Sequence, residues 1–150
     1  MLKQIECCLK IKEFNYEVIR PSAVDLILSC ENTDVEVRIT CDQENHRIIY
    51  YARSSVKIPG EKCPQALEKV NQINWNGLWN AHLIISEDRC IISQSILYFG
   101  NNLDVDSFYE TLFDVCDIID KNFKELMQIV ISSDLCEVVM NQHGLDNMAN

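Results

Sequence analysis

The two side chains best suited to chemistry are Cys90 and His82. Cys90 follows a predicted hairpin turn at residues 87–89, and His82 lies on the polar side of the strand before that turn. A thiol that approaches an imidazole is the arrangement used in nucleophilic catalysis. No third group that would orient the imidazole can be identified from the sequence. A small enzyme or ligand sensor, with a pocket between sheet and helices, is therefore the alternative hypothesis rather than the main one.

The chain has eight cysteines but no Cys-x-x-Cys motif and no Cys/His cluster at zinc spacing. Most of them fall where the pattern requires a small apolar residue, so core packing is their expected role. The adjacent pair Cys7 and Cys8 lies on a predicted helix, where neighbouring side chains point in different directions. The cysteines are Cys7, Cys8, Cys30, Cys41, Cys63, Cys90, Cys116 and Cys136.

Other motifs of catalysis or ligand binding are missing from the sequence. It has no Gly-rich phosphate loop, no Gly-x-Ser-x-Gly and no His-Glu-x-x-His. Asp114 and Asp117 have helical i, i+3 spacing, but they lie beside an apolar stripe and are expected to face solvent. We therefore expect no catalytic residue, no cofactor and no metal site.

The charge balance excludes several classes of partner. The 150 residues include 23 acidic and 13 basic side chains, for a net charge of −10. Phosphate recognition needs clustered Lys and Arg, so we expect no nucleic acid and no membrane partner. Residues 101–150 hold ten acids and two bases, a net charge of −8. Either this acidity attracts a basic partner or it is a solvated helix face.

The N-terminal ten residues predict the compartment. Glu6 and Lys10 interrupt any apolar run, so the sequence shows no secretory signal there. We expect a cytoplasmic protein with reduced cysteines.

Hydrophobic periodicity predicts an α+β fold: a single antiparallel sheet with helices packed on one face, in the order α-β-β-β-α-β-β-α. Residues 1–150 form one domain, in which 132–150 are predicted to be a loosely ordered tail. Residues 135–140 either extend the last helix or form a separate turn. Predicted helices cover residues 2–13, 61–74 and 105–130, and predicted strands cover residues 24–30, 35–41, 47–56, 79–86 and 90–99. The last helix carries an apolar stripe from Val105 to Val130 with Asp104 as its predicted N-cap, and the pair Asn76-Gly77 is predicted to end the second helix.

Several large apolar residues are candidates for an interface. Trp75 and Trp79 flank a predicted turn, where they either anchor a partner or seal the end of the core. Ile27, Ile84 and Ile91 are assigned to nominally polar strand faces, where a pair of subunits could bury them.

Most of the chain resembles the YbjN family. The resemblance rests on the strand signals Val-Glu-Val-Arg-Ile-Thr from Val35 and Ile-Ile-Tyr-Tyr-Ala-Arg from Ile48, and on the stretch from Val56 to Asn74. The hairpin at residues 87–88, the entry to a long helix from Leu103, the N-terminal helix and residues 17–18 also fit.

The resemblance implies a fold similar to that of class I type III secretion chaperones, and it brings no catalytic residues. Those chaperones are small acidic homodimers that hold extended segments of partner proteins. The main hypothesis is therefore a non-enzymatic protein-interaction module, a homodimer that binds segments of an unidentified protein partner.

Overall fold

A six-stranded antiparallel sheet forms one layer, and three helices cover one side of it. The computed structural model describes residues 1–20, 22–77 and 79–146, with side chains described through Ser132 except that of Arg20. The elements are α1 (Leu2–Ile11), β1 (Tyr16–Arg20), β2 (Ala23–Ser29), β3 (Asp34–Asp42), β4 (Arg47–Lys57), α2 (Cys63–Trp75), β5 (His82–Ile85), β6 (Cys90–Tyr98) and α3 (Val105–Asp146).

The strand order in the sheet is β1-β2-β3-β4-β6-β5. The α+β class, the single antiparallel sheet and the predicted order of helices and strands are confirmed. The structure adds β1, an edge strand with Val18 and Ile19 both exposed. Because neither face of β1 is fully covered, its sequence lacks the alternation that marks the other strands.

The long helix α3 lies across the inner face of the sheet. Its N-terminus is capped by Asp104, whose carboxylate accepts a hydrogen bond of 3.0 Å from the Ser107 amide, as predicted. Phe108, Leu112 and Ile119 from the predicted apolar stripe are fully buried against the strands. The helix continues to Asp146, beyond the last residue of that stripe, and residues 147–150 lie outside the described residues.

The inner face of β6 carries two buried serines, and Ile91 lies on this face rather than on the outer face predicted for it. Ser93 and Ser95 point inward, where their hydroxyls donate to the carbonyls of Val115 and Asn80. Ile91 lies two residues before Ser93, so its side chain points to the same inner face. It is 1% exposed and belongs to the core. Its assignment to a surface interface was wrong because polar serines on a buried face mimic the pattern of a solvated one.

A side chain of α2 forms hydrogen bonds with the free backbone edge of the edge strand β5. The Asn74 side-chain amide donates to the Leu83 carbonyl (2.8 Å) and accepts from the Leu83 amide (2.7 Å). It therefore pairs with the backbone as a neighbouring strand would. The helix ends just before Gly77, which has a φ of +61°, as the Asn-Gly pair predicted.

Among the described residues, no helix has the length and apolar character needed to cross a membrane.

Candidate interaction surface

The side of the sheet away from the helices is uncovered in this chain, and we call it the open face. Strand alternation places Ile27 of β2 and Ile84 of β5 on it, 65% and 38% exposed. The strand register puts both at the ends of one cross-strand row, four strand spacings or about 19 Å apart. From one end to the other, the row consists of Ile27, Glu36, Arg53, Ile92 and Ile84.

A second row on the open face is mainly polar, and its one arginine is paired with an aspartate of the same row. Arg38 Nε and Nη2 donate to the two oxygens of Asp25 at 2.7 and 2.6 Å. These hydrogen bonds raise the pKa of Arg38. The row consists of Glu17, Asp25, Arg38, Tyr51, Gln94 and His82.

The charge of Arg53 is also compensated internally. Its Nη2 lies 2.9 Å from a carboxylate oxygen of Asp88 and 3.1 Å from the Cys90 sulfur. Ser86 donates to the other carboxylate oxygen, and this hydrogen bond lowers the pKa of Asp88. The open face therefore offers a partner its apolar side chains more readily than its two arginines.

A groove runs over the β1–β4 side of the open face. Its volume is about 1010 Å³, and Ile27, Tyr51 and Ile92 line it beside Arg38 and Arg53. Further along β6, Ile96 is 38% exposed on the same side. A groove that mixes apolar side chains with arginines already paired within the chain suits an extended polypeptide better than an ion or a nucleotide.

The outer side of α2 forms a second apolar surface, which we call the α2 patch. Trp75 is 91% exposed and Leu67 is 49% exposed there. Both line a shallow groove of about 590 Å³ with Pro64, Glu68, Asn71, Gln72 and Asn76. Trp75 thus leaves an indole unburied within this chain, as the interface hypothesis requires.

The structure separates the two tryptophans that the sequence placed together. Trp79 is half-buried against the core, and the Lys121 amino group lies 4.8 Å from its ring centroid. Trp79 is therefore placed as a seal between β5 and α3, whereas Trp75 stays on the surface. The two tryptophans differ in environment because Trp79 comes after the turn, where the chain returns to the sheet, whereas Trp75 ends α2 before the turn.

Cys90 and His82 do not form a pair. His82 is aligned with Gln94, four residues beyond Cys90 on β6, which separates the two by about 13 Å along the strand. Cys90 is fully buried and His82 is exposed. The proposed proximity was wrong because the hairpin register places the two residues at opposite ends of β5–β6.

The remaining candidates for chemistry also have structural roles. Cys8, Cys41, Cys90 and Cys116 are buried, as core packing predicted, whereas Cys30 and Cys63 are half-buried and Cys7 is exposed on the outer side of α1. Asp114 accepts a hydrogen bond from Asn80, and Asp117 pairs with Lys121 at 2.7 Å. No group of three His, Cys, Asp or Glu side chains within the described part of the chain could hold a metal ion.

Sequence reasoning missed most of the open face. Tyr51, Ile92 and Ile96 were not identified as surface residues, although burial alternates with a period of two along both β4 and β6. That alternation identifies two faces, but it does not show which one the helices cover.

Solved structures with the same architecture are found despite low sequence identity. YbjN, a candidate transcription regulator from E. coli, aligns with a TM-score of 0.58 over 91% of this chain and 93% of its own, at 13% identity. No protein-family model matches the sequence, and no curated protein matches it.

Two protein complexes give similar alignments. A chain of the HopA1–SchA chaperone–effector complex aligns with a TM-score of 0.54 over 77% of this chain and 87% of its own, at 12% identity. A chain of the heterodimeric ExoU–SpcU complex, from the type III secretion system of Pseudomonas aeruginosa, aligns with a TM-score of 0.55. The alignment covers 86% of this chain and 99% of its own, at 13% identity.

The chain shares the fold of YbjN and of these two complex-forming chains. The fold implied by the sequence resemblance is therefore confirmed. In this YbjN-like fold, the helices occupy the inner face, which leaves the open face and the α2 patch as the apolar surfaces described above.

Proposed function

We propose that the chain is a non-enzymatic protein-interaction module that binds an extended segment of a partner protein on its open face. The observation that carries this proposal is the row from Ile27 to Ile84, which crosses five strands and presents apolar side chains on three of them, Ile27, Ile92 and Ile84, while Arg53 within it is paired with Asp88. Two structures of similar fold, a chaperone–effector complex and a heterodimeric complex, were each solved with a second protein, which supports a protein partner.

The enzyme or sensor alternative receives less support. The space between sheet and helices is filled by buried side chains such as Tyr50, Phe108 and Ile119. Both grooves described above lie on outer surfaces, and the proposed Cys90–His82 pair is separated. We further propose that two copies associate as a homodimer through the α2 patch, which leaves the open face free for the partner.

The partner proposal is tested by affinity capture from the source cell's lysate, followed by mass spectrometry. The test variant carries Ile27→Glu and Ile84→Glu, which place charges at both ends of the apolar row. The matched control is Ile11→Glu on α1, because Ile11 is 68% exposed and Ile27 is 65% exposed. Circular dichroism checks that all three proteins are folded.

We expect the wild-type chain and the control to capture the same specific protein, and the test variant to lose at least about 90% of it, since a buried unpaired charge costs more than 1.4 kcal/mol. Equal capture by the test variant would exclude the open face as the binding surface.

A further inference from the structure

The groove on the open face has more carboxylates than its own arginines compensate. Three acids and two arginines line its volume of about 1010 Å³, and both arginines already belong to ion pairs. Arg38 is paired with Asp25, which also lines the groove. Arg53 is paired with Asp88, which lies outside the groove lining. Two carboxylates of the groove are therefore left over.

These two carboxylates belong to Glu17 and Glu36. Both side chains are exposed, and neither forms an ion pair with any side chain that the structure describes. Arg53 lies opposite Glu36 in the strand register, but its Nη2 lies 2.9 Å from a carboxylate oxygen of Asp88 instead. A carboxylate in an open groove without an ion-pair partner is available to a ligand of opposite charge.

The two carboxylates lie on either side of Ile27. Ile27 is aligned with Glu36 on the next strand, and Glu17 is aligned with Asp25, two residues before Ile27. Strands lie about 4.8 Å apart and residues i and i+2 about 6.8 Å apart, so Glu17 and Glu36 are about 12 Å apart across the sheet. The groove therefore presents an apolar side chain, 65% exposed, between two carboxylates.

An extended polypeptide matches this spacing. In a strand, side chains i, i+2 and i+4 point to the same side, and i and i+4 are about 13.6 Å apart. A basic residue at each end and an apolar residue in the middle therefore reach both carboxylates and Ile27 at once. The flexible stem of a lysine accommodates the difference of about 2 Å. The net charge of −10 adds attraction for a basic segment and repulsion for an acidic one.

We propose that the segment bound at the open face is basic: an extended stretch in which two Lys or Arg side chains, at i and i+4, flank an apolar residue at i+2. The basic side chains pair with Glu17 and Glu36, and the apolar one packs on Ile27. This inference rests on the proposed function and names the chemistry of the segment that the groove binds. It assigns the attraction to the groove rather than to the acids of residues 101–150.

The test titrates the isotope-labelled full chain with synthetic peptides and follows its amide signals by NMR. Three peptides differ only in a central Lys-Thr-Val-Thr-Lys, Gln-Thr-Val-Thr-Gln or Glu-Thr-Val-Thr-Glu. A fourth contains Lys-Lys-Val-Thr-Thr, which puts its two lysines on opposite sides of the extended chain.

We expect the amides around Ile27 in β1–β4 to shift. The Lys-Thr-Val-Thr-Lys peptide should have a dissociation constant at least about five-fold lower than the Gln peptide, because two exposed ion pairs form. The Glu peptide should bind most weakly, and the Lys-Lys peptide should lose about half of the advantage in free energy. Salt at about 1 M should remove most of the difference between the Lys and Gln peptides.

Glu36→Gln and its matched control Glu110→Gln separate the groove from the overall charge. Each removes one exposed acid, and Glu110 lies on α3 among the acids of residues 101–150. We expect Glu36→Gln to weaken binding of the Lys-Thr-Val-Thr-Lys peptide about two- to three-fold and to leave the Gln peptide unchanged. Glu110→Gln should change neither. The double variant Glu17→Gln, Glu36→Gln should bind both peptides equally.

The inference is overturned if the Lys-Thr-Val-Thr-Lys peptide binds no more tightly than the Gln peptide, or if Glu110→Gln weakens it as much as Glu36→Gln does. Open-face amides that shift when the protein alone is diluted would assign the groove to a second copy and would also overturn it. Failure of the proposed function is distinguishable, because equal binding of both peptides at the open face removes the charge preference and leaves that function standing.

Discussion

Single side chains set long-range contacts in this protein, and Asp120 is the clearest example. Its carboxylate accepts hydrogen bonds from two backbone amides and one side-chain amide of the β2–β3 turn. Hydrogen bonds to an ionised acceptor are stronger than neutral ones, and the donors would be left unpaired without it.

Replacing Asp120 should therefore destabilise the fold strongly. We expect Asp120→Ala to lower the free energy of unfolding by about 2–4 kcal/mol, measured by urea denaturation. Asp117→Ala is the control, because Asp117 lies one turn away in an exposed pair with Lys121 and should cost less than about 0.5 kcal/mol. Equal losses for both variants would show that the turn is held by other contacts.

No periodicity in the sequence indicated Asp120. It lies on the long helix among other acids, and the acidity of residues 101–150 was interpreted either as a partner surface or as a solvated face. Only the position of a turn almost ninety residues earlier distinguishes it from Asp117.

At the scale of elements, the inner sheet face contains serines that behave differently from one another. Ser93 of β6 donates to the carbonyl of Val115, where α3 crosses the strand. Ser54 of β4 is also fully buried, but its hydroxyl has no hydrogen-bond partner among the described residues. A buried hydroxyl is tolerated when paired and costs stability when it is not.

The same substitution should therefore have opposite effects at these two positions. We expect Ser93→Ala to lower the free energy of unfolding by about 1 kcal/mol and Ser54→Ala to raise it by about 1 kcal/mol. Each variant serves as the control for the other, with thermal and urea denaturation as the measurements. Effects of the same sign would contradict this account of the inner face.

Serines on the buried face also explain why the sequence predicted the wrong buried face for β6. The alternation in β3 was interpreted correctly because Val35, Val37 and Ile39 are apolar and Glu36 and Arg38 are charged. In β6 the apolar residues Ile92 and Ile96 face outward, so alternation by itself selects the wrong side.

At the scale of the whole molecule, the α2 patch is the surface that we propose for the homodimer. An indole that is 91% exposed beside Leu67 leaves a large apolar area in water. Contact between two such patches around a twofold axis would bury both tryptophans at the centre of one interface.

This proposal makes a measurable prediction for Trp75. We expect Trp75→Ala to raise the dimer dissociation constant at least about 30-fold, because loss of a central Trp costs 2 kcal/mol or more. Sedimentation equilibrium measures the constant.

Tyr98→Ala is the control, since Tyr98 is 71% exposed but lies outside the α2 patch. A monomeric wild-type chain at micromolar concentration, or a dimer that Trp75→Ala leaves unchanged, would rule out this interface.

The sequence by itself determined the features that depend on neighbouring residues. The stripe of α3, the Asp104 cap, the alternation of β3 and the turn at Gly77 were all predicted, because periodicity, capping and turn geometry act over a few residues. Together they were sufficient for the α+β class and for the order of its elements.

The tertiary structure alone decided what depends on pairing between distant segments. It placed β6 between β4 and β5, buried Ile91, separated Cys90 from His82 and joined Asp120 to the β2–β3 turn. Register and the choice of the covered face come from contacts between segments that are far apart along the chain. The physical reason is that a strand has the same local pattern whichever face is buried.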